Sequence, residues 1–162
     1  YNDKLLCTES GELQLTDYGI SGIPVFQLSG AVNRYLYHHK NANLIAKIDF
    51  LPNMNKEQFE SFKHIRMKQL INRTAEQFFC GILNQKLMKV FMKLSGIRQD
   101  MMIEKIDKRN INKVFELCRC LEMHICGSNG FENAQVCSGG VSLEEINAEI
   151  AEIRAERRAK KE

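Results

Sequence analysis

The sequence lacks several features that would define a function class at once. No apolar run approaches the roughly 18 residues that a membrane-spanning helix needs, and no secretory signal peptide is visible at the start. There is no GxGxxG or P-loop phosphate-binding motif and no nucleophile elbow. The formal net charge is only +3, whereas a nucleic-acid-binding domain usually carries a clustered basic face. These absences predict a soluble, cytoplasmic chain without membrane or nucleic-acid partners.

The residues that are present suit a globular protein of ordinary composition. Hydrophobic residues make up 44% of the 162 and charged residues 27%, which is enough for one domain or two small lobes. The first residue is Tyr rather than Met, and it falls inside a strand-like stretch. We therefore expect a fragment or an excised domain of a larger protein.

The six cysteines are scattered along the chain. Cys80 and Cys118 fall within apolar helical patterns, where a thiol packs as a small hydrophobic group. Reduced thiols are therefore favoured over a disulfide framework. Cys118-x-Cys120 followed by His124 could suggest zinc, but structural zinc ligands are normally separated by about two to four residues. No metal site is predicted.

The apolar pattern of the first third predicts a β-hairpin followed by a helix. Short strand-like runs at Lys4–Thr8 and Glu12–Thr16 flank a Ser-Gly turn. After the glycine-containing loop Asp17–Gly22, apolar residues at helical spacing predict a helix over Pro24–Tyr37. A strand is predicted over Asn43–Leu51.

From residue 55 to residue 119 the apolar period is helical. Asn55, Thr74 and Asn84 are the predicted N-caps of three helices, and Thr74 begins a capping-box pattern. The predicted buried side chains are Phe59, Phe62, Ile65 and Leu70, then Leu87, Val90, Phe91 and Leu94, and finally Ile111, Val114, Phe115 and Cys118. The methionines expected to fill the core are Met88, Met92, Met101 and Met102.

The chain then returns to strand patterns, so the helical block is predicted to be inserted between strands of one β layer. Strands at Leu121–Cys126 and Asn133–Cys137 flank a turn at residues 127–130. The predicted fold class is α+β. A partial antiparallel β-barrel-like layer covers residues 1–51 and 120–141, and a small helical bundle, the helical subdomain, covers residues 52–119.

Residues 142–162 are predicted to form a C-terminal helix. Leu143, Ile146, Ile150 and Ile153 give it a narrow apolar seam, and beyond Ile153 it is almost wholly charged. The seam suggests an alternative function, a non-catalytic protein-interaction module or homo-oligomer that pairs through residues 143–153. The charged end is interpreted either as an unusual native ending or as an extension foreign to the native protein.

Two glycine loops are the candidate binding elements. The loop Gly19–Pro24 precedes a helix whose free N–H groups attract a carboxylate or phosphate, although glycines at a strand-to-helix turn also serve geometry alone. Ser138-Gly139-Gly140-Val141 has the same arrangement, without the third glycine of a dinucleotide fingerprint. Tyr18 beside Asp17 suits either a proton donor with a carboxylate partner or an ordinary loop hydrogen bond.

Two longer segments resemble the hallmarks of a known family. Residues 11–29, GELQLTDYGISGIPVFQLS, are similar to a hallmark of the aminoacetone-oxidase-like FAD-dependent oxidoreductases, which include flavoproteins resembling bile-acid enone reductases. Residues 134–147, AQVCSGGVSLEEIN, resemble the second hallmark, at the return into the flavin domain. The spacing between the two also matches, so the resemblance covers about residues 4–147, and the chain departs from the family pattern from Ala148 onwards.

The resemblance implies a parent enzyme with three parts: a split FAD domain, a β-barrel-like domain and a helical subdomain. Such a parent passes hydride from NAD(P)H through FAD to a substrate or to oxygen, and this chain corresponds to its substrate-side insert. The positions implied to lie near the flavin or the substrate are Thr16, Asp17, Tyr18, Gly19, Ser21, Gly22, Ser138, Gly139, Gly140 and Val141. The missing FAD-binding domain of the same protein is the expected partner. The isolated chain is expected to bind no FAD and to be inactive.

Overall fold

The first part of the chain forms a short hairpin and one helix. The computed structural model describes residues 5–40 and 42–130, together with Asn147 and Ile150. The chain divides into two units, one of Tyr1–Ala42 with Cys126–Glu162 and one of Asn43–Ile125. The described elements of the first unit are β1 (Gln14–Thr16), β2 (Gly19–Ser21) and α1 (Ile23–His38).

The hairpin lies one strand later than the sequence pattern predicted. β1 pairs antiparallel with β2, with Thr16 opposite Gly19, so that Asp17 and Tyr18 form a two-residue turn. Residues 5–8, predicted as a strand, belong to no strand. The prediction was wrong because the alternation along Glu12–Thr16 identifies a strand without identifying its partner. The segment expected to be a glycine loop is the extended partner strand.

The helix α1 confirms the predicted helix at nearly the same bounds. Pro24 lies in its first turn, where the missing N–H would have had no helical partner. At the other end the backbone N–H of His39 donates to the carbonyl of Tyr35 over 3.0 Å, and the His39 ring stacks on the Tyr35 ring at a centroid distance of 4.2 Å. His38 and His39 are exposed, as expected for a solvated last turn.

In the second unit, a helical bundle lies along the chain between two strands that pair with each other. Its elements are β3 (Ile45–Ile48), α2 (Lys56–Leu70), α3 (Ala75–Phe79), α4 (Gln85–Leu94), a 3-10 turn (Ile103–Lys105), α5 (Lys108–Arg119) and β4 (Leu121–His124). β3 and β4 pair antiparallel, with Ile48 opposite Leu121 and Ile45 opposite His124. The predicted insertion of a helical block between strands of one sheet is therefore confirmed.

All three predicted helix caps are present. The Asn55 carboxamide oxygen accepts from the Gln58 backbone N–H at 2.8 Å, and the Gln58 side chain accepts from the Asn55 N–H at 2.9 Å. Thr74 and Gln77 form the same reciprocal arrangement, as the capping-box pattern predicted. Asn84 accepts from the Lys86 N–H at 2.9 Å. These bonds satisfy backbone donors that the first helical turn leaves without partners.

The second unit has a continuous apolar core. Its buried members are Phe59, Ala75, Phe78, Phe79, Met88, Phe91, Met92, Ile97, Ile103, Ile106, Ile111, Val114, Phe115 and Cys118. Phe115, 1% exposed, is the aromatic centre of this core, because its ring lies 5.6–6.4 Å from the rings of four other phenylalanines. The predicted buried face of α5 is confirmed in full.

The predicted buried face of α4 was right for Phe91, which is buried, and for Leu87, which packs against the core, and wrong for the other two residues. Val90 and Leu94 are 51% and 54% exposed, and the helix buries Met88 and Met92 beside Phe91. The apolar residues of α4 allow either phase, but burying the Val90 side would bring Lys86 and Lys93 towards the core, where unpaired ammonium groups are costly. In α2, Ile65 was likewise predicted to be buried and is 53% exposed.

Arginine side chains hold the connections of the bundle. The Arg119 guanidinium donates to the carbonyls of Leu51 and Met54, and its Nη2 lies 3.1 Å from an Asp49 carboxylate oxygen. These contacts join the segment after β3 to the end of α5. Arg66 donates to the carbonyls of Phe78 and Cys80 after α3, and burial lowers the pKa of its guanidinium.

The predicted α+β class is confirmed, with two two-stranded antiparallel sheets and no closed barrel among residues 5–40 and 42–130. The predicted strand Asn133–Cys137 and the helical seam of residues 143–153 lie outside the described residues, except that Asn147 and Ile150 are exposed. The predicted boundaries of the three segments stay a prediction. No helix in the described part of the chain is both long and apolar enough to cross a membrane.

Candidate functional site

The first candidate site is the β1–β2 hairpin, which carries five of the residues that the resemblance singled out, with Gly22 directly after it. The Thr16 hydroxyl donates to the Gly19 carbonyl at 3.1 Å and closes the turn. The turn residues Asp17 and Tyr18 are both exposed, and Tyr18 keeps 65% of its surface in solvent. The hairpin therefore presents a carboxylate and a phenol at its tip, with Thr16 engaged in holding the backbone.

Gly22 joins the hairpin to α1 and lies close to the backbone of Glu12. It is the N-cap of α1, with a φ of 108° that side chains with a Cβ rarely adopt. A Cβ built at this position would lie 2.5 Å from the Glu12 carbonyl oxygen, nearer than real Cβ atoms come to such a neighbour. Gly22 is therefore required by local geometry, which favours the geometric interpretation of this glycine over the ligand-binding one.

Gly19 differs from Gly22 in having open space beside it. Its φ is 145°, and no atom lies within 4 Å of a Cβ built there. Packing alone does not explain a glycine at this position, because only the backbone angle limits substitution. The fold therefore requires Gly22, whereas Gly19 leaves its backbone open to a neighbouring group.

The beginning of α1 offers backbone donors without a negative side chain. No side chain caps the helix at Gly22, and its first turn contains no acidic residue. Such a helix end carries a partial positive charge. However, the space beside Gly22 is filled by the Glu12 carbonyl, so it is not a cradle for a phosphate group.

The other predicted site residues cannot be placed against the hairpin. Ser138, Gly139, Gly140 and Val141 lie outside the described residues. Among the residues that are described, no group of three or more metal-ligating side chains comes together. Cys118 of the predicted CxC pair is fully buried in the core, where burial raises its pKa to about 12, whereas Cys120 is exposed. Cys7, Cys80, Cys118 and Cys120 are free thiols.

A second surface feature, on the helical unit, was not identified from the sequence. The exposed side of α4 carries Lys86, Lys89 and Lys93, and we call it the α4 lysine face. An open groove of about 720 Å³ runs beside it, lined by Lys89, Val90, Lys93, Gly96, Ile97, Arg98, Gln99 and Asp100. The signal available in the sequence was the absence of any Asp or Glu from residue 77 to residue 99.

Comparison with known proteins gives one family and two curated relatives. Residues 2–136 match the sequence model of the HI0933-like protein barrel and H2TH domain. The chain is 34% identical over 151 residues to the 3-dehydro-bile acid delta(4,6)-reductase of Clostridium scindens, an alignment that covers 93% of this chain and 36% of that protein. It is 29% identical over 150 residues to the ribosomal RNA dihydrouridine synthase of Haemophilus influenzae, covering 91% of this chain and 34% of that protein. The chain thus spans about a third of the length of these relatives.

Proposed function

The chain belongs to the HI0933-like family, a family of flavoprotein oxidoreductases, and on this premise we propose that it is the substrate-side insert of such an enzyme. In this proposal the parent takes hydride from NAD(P)H through FAD. The hairpin and the start of α1 cover the flavin and the substrate, and the cofactors are held by the FAD-binding domain of the same protein. The isolated chain is then inactive and binds no FAD.

The observation that carries the proposal is the unequal burial of the two units. The helical unit has a core of fourteen buried apolar residues. Among residues 5–40, in contrast, only Gly22 and Pro24 are buried. A two-stranded hairpin is marginally stable unless another surface covers it. This contrast supports a first unit that completes its packing against a further domain.

Three of the large apolar residues left in solvent lie in the family motif. Leu15, Tyr18 and Ile23 are 47%, 65% and 68% exposed, and they lie within the hairpin or at the first residue of α1. Clustered exposed apolar side chains commonly mark a binding surface. We therefore assign this segment to the contact with the flavin domain and place the phenol of Tyr18 nearest to the substrate.

The names of the two relatives point to a shared type of substrate bond. A delta(4,6)-reductase acts on carbon–carbon double bonds, and a dihydrouridine synthase saturates a double bond of a uridine ring. We propose that the parent of this chain reduces a carbon–carbon double bond conjugated to a carbonyl group. Bound flavin, once reduced by NAD(P)H, would supply the hydride, and the second hydrogen would come from a proton donor, for which the exposed Tyr18 phenol is the candidate in this chain.

A graft tests the insert role directly. The aligned segment of the Clostridium scindens reductase, about a third of that protein, would be replaced by this chain, and the flavin absorbance and NAD(P)H oxidation of the chimera would be measured. We expect the chimera to copurify with a flavin and to oxidise NAD(P)H when an unsaturated carbonyl compound is added. The 162-residue chain alone should show no flavin absorbance.

Two tyrosine variants of the chimera provide a matched control. Tyr18→Phe removes the phenol at the hairpin tip, whereas Tyr37→Phe removes another exposed phenol, near the far end of α1. We expect substrate reduction to fall by about a hundredfold only for Tyr18→Phe, in the range of general acid catalysis. A folded chimera without flavin would contradict the insert role. Equal activity of the two variants would refute the role of Tyr18 as proton donor and would leave the insert role unaffected.

A further inference from the structure

The positive charge of the chain is concentrated in the helical unit. Residues 43–125 contain 15 Lys and Arg against nine Asp and Glu, a net charge of +6, although the whole chain has only +3. The remaining residues therefore carry a net charge of −3. The mild overall charge, from which we predicted no nucleic-acid partner, is the sum of two units of opposite sign.

Within the helical unit, α4 gathers cations on one side. The α4 lysine face projects away from the buried Met88, Phe91 and Met92, since lysines spaced by three and four residues share a side of a helix. Lys86 and Lys93 are exposed, and the Lys89 side chain is 42% exposed. Because residues 77–99 contain no carboxylate, this side has no acidic neighbour along the chain.

The acidic groups that do approach this surface come from its two edges. Glu76 lies 3.6 Å from the Lys89 ammonium, and the Asp100 carboxylate accepts two hydrogen bonds from Arg98 at 2.6 and 3.1 Å. Both pairs are exposed and are therefore weak. No ion pair engages Lys86 or Lys93 in the described part of the chain. Two lysines of the face thus remain open to an external anion.

We propose that the α4 lysine face binds the phosphate backbone of an RNA strand. Lys86 and Lys93 lie about 10 Å apart along α4, far enough to contact different phosphates of one strand. Three cations in a row match a repeating anion, whereas the single carboxylate of a small substrate would use only one of them. One curated relative acts on ribosomal RNA, so an RNA partner is compatible with this family.

Two aliphatic side chains next to the lysines are also exposed. Val90 lies between Lys89 and Lys93, Leu94 follows Lys93, and they are 51% and 54% exposed. The groove beside them is open to solvent and does not enclose a compact ligand. In the proposed reductase, this RNA would carry the base that is reduced, and only that part of the inference rests on the proposed function. The binding itself is a property of the helical unit.

The test measures binding of a fluorescein-labelled single-stranded RNA of twenty nucleotides to the 162-residue chain by fluorescence anisotropy. Lys86→Gln/Lys93→Gln removes the two open lysines, and Lys56→Gln/Lys68→Gln removes the same charge from two exposed lysines of α2. We expect the α4 pair to weaken binding at 50 mM salt by at least about tenfold and to reduce the slope of log K against log salt by about 1.4. The α2 pair should change binding less than about twofold.

Three results would overturn the proposal. The first is no RNA binding by the unaltered chain at micromolar concentration in 50 mM salt. The second is an equal loss for both lysine pairs, which would mean that net charge rather than the α4 lysine face attracts RNA. The third is displacement of the RNA by cholate at stoichiometric concentration, which would assign the face to a steroid carboxylate. The chimera described above contains its own flavin readout, so the reductase function stands or fails independently of these results.

Discussion

Replacing Gly22 with alanine tests the close contact that joins the hairpin to α1. The change forces a residue with a Cβ into a φ of 108°, which costs about 1–3 kcal/mol in backbone strain. It also brings the new methyl group to 2.5 Å from the Glu12 carbonyl oxygen, so β1 must shift. We expect a total loss of at least about 3 kcal/mol in the stability of the hairpin, of the order found when overpacking adds to strain.

Hydrogen exchange measures this loss where it occurs. The measurement uses the chimera, in which the proposed flavin domain covers the hairpin, because an uncovered two-stranded hairpin has little protection to lose. There a change of about 3 kcal/mol lowers the protection of the β1 and β2 amides by more than a hundredfold, while the amides of α5 in the helical unit keep their protection. Gly19→Ala is the matched control, because its φ of 145° is also unusual but its Cβ would meet nothing within 4 Å. Unchanged protection in Gly22→Ala, or an equal loss in both variants, would refute the contact with Glu12 as the reason for this glycine.

Two further predictions concern the helical unit. Phe115→Ala should lower the free energy of unfolding of this unit by about 3–5 kcal/mol, measured by urea titration followed by circular dichroism. Val90→Ala should lower it by less than about 0.5 kcal/mol. Similar losses in the two variants would contradict the burial of Phe115 and the exposure of Val90. Burial raises the pKa of Cys118 from 9.0 to about 12, so the folded state keeps a proton that the unfolded state releases, and stability should fall as pH rises from about 9 to 12. Cys118→Ala should flatten this fall, and a titration of the same steepness in that variant would exclude Cys118 as its source. At pH 8 a thiol reagent should modify the exposed Cys80, Cys120 and Cys126 in the folded chain and reach Cys118 only after unfolding.

Local signals in the sequence were sufficient wherever a few neighbouring residues decide the structure. Asn55, Thr74 and Asn84 are the helix caps that their side-chain chemistry predicted, since each accepts a hydrogen bond from a backbone N–H two or three residues later. The period of α5 also identified its buried face, because that helix has a single apolar stripe. The family motif over residues 11–29 identified the family, which the match over residues 2–136 confirms.

Where the local sequence allowed more than one strand pairing or buried helix face, only the tertiary structure decided between them. The alternation along Glu12–Thr16 predicted a strand, but only the three-dimensional fold pairs it with Gly19–Ser21 across the Asp17–Tyr18 turn. The apolar residues of α4 permitted two buried faces. Packing against the core selected Met88, Phe91 and Met92, and it thereby placed the lysines in solvent.

The sequence by itself therefore determined the α+β class, the three helix N-caps and the family, because these depend on short-range hydrogen bonds, period and motif. Only the tertiary structure separated the two glycines of the motif, since the approach of the Glu12 carbonyl to Gly22 depends on how the chain folds back on itself. It also located the α4 lysine face, because whether a residue on a helix is exposed depends on what packs against the opposite side.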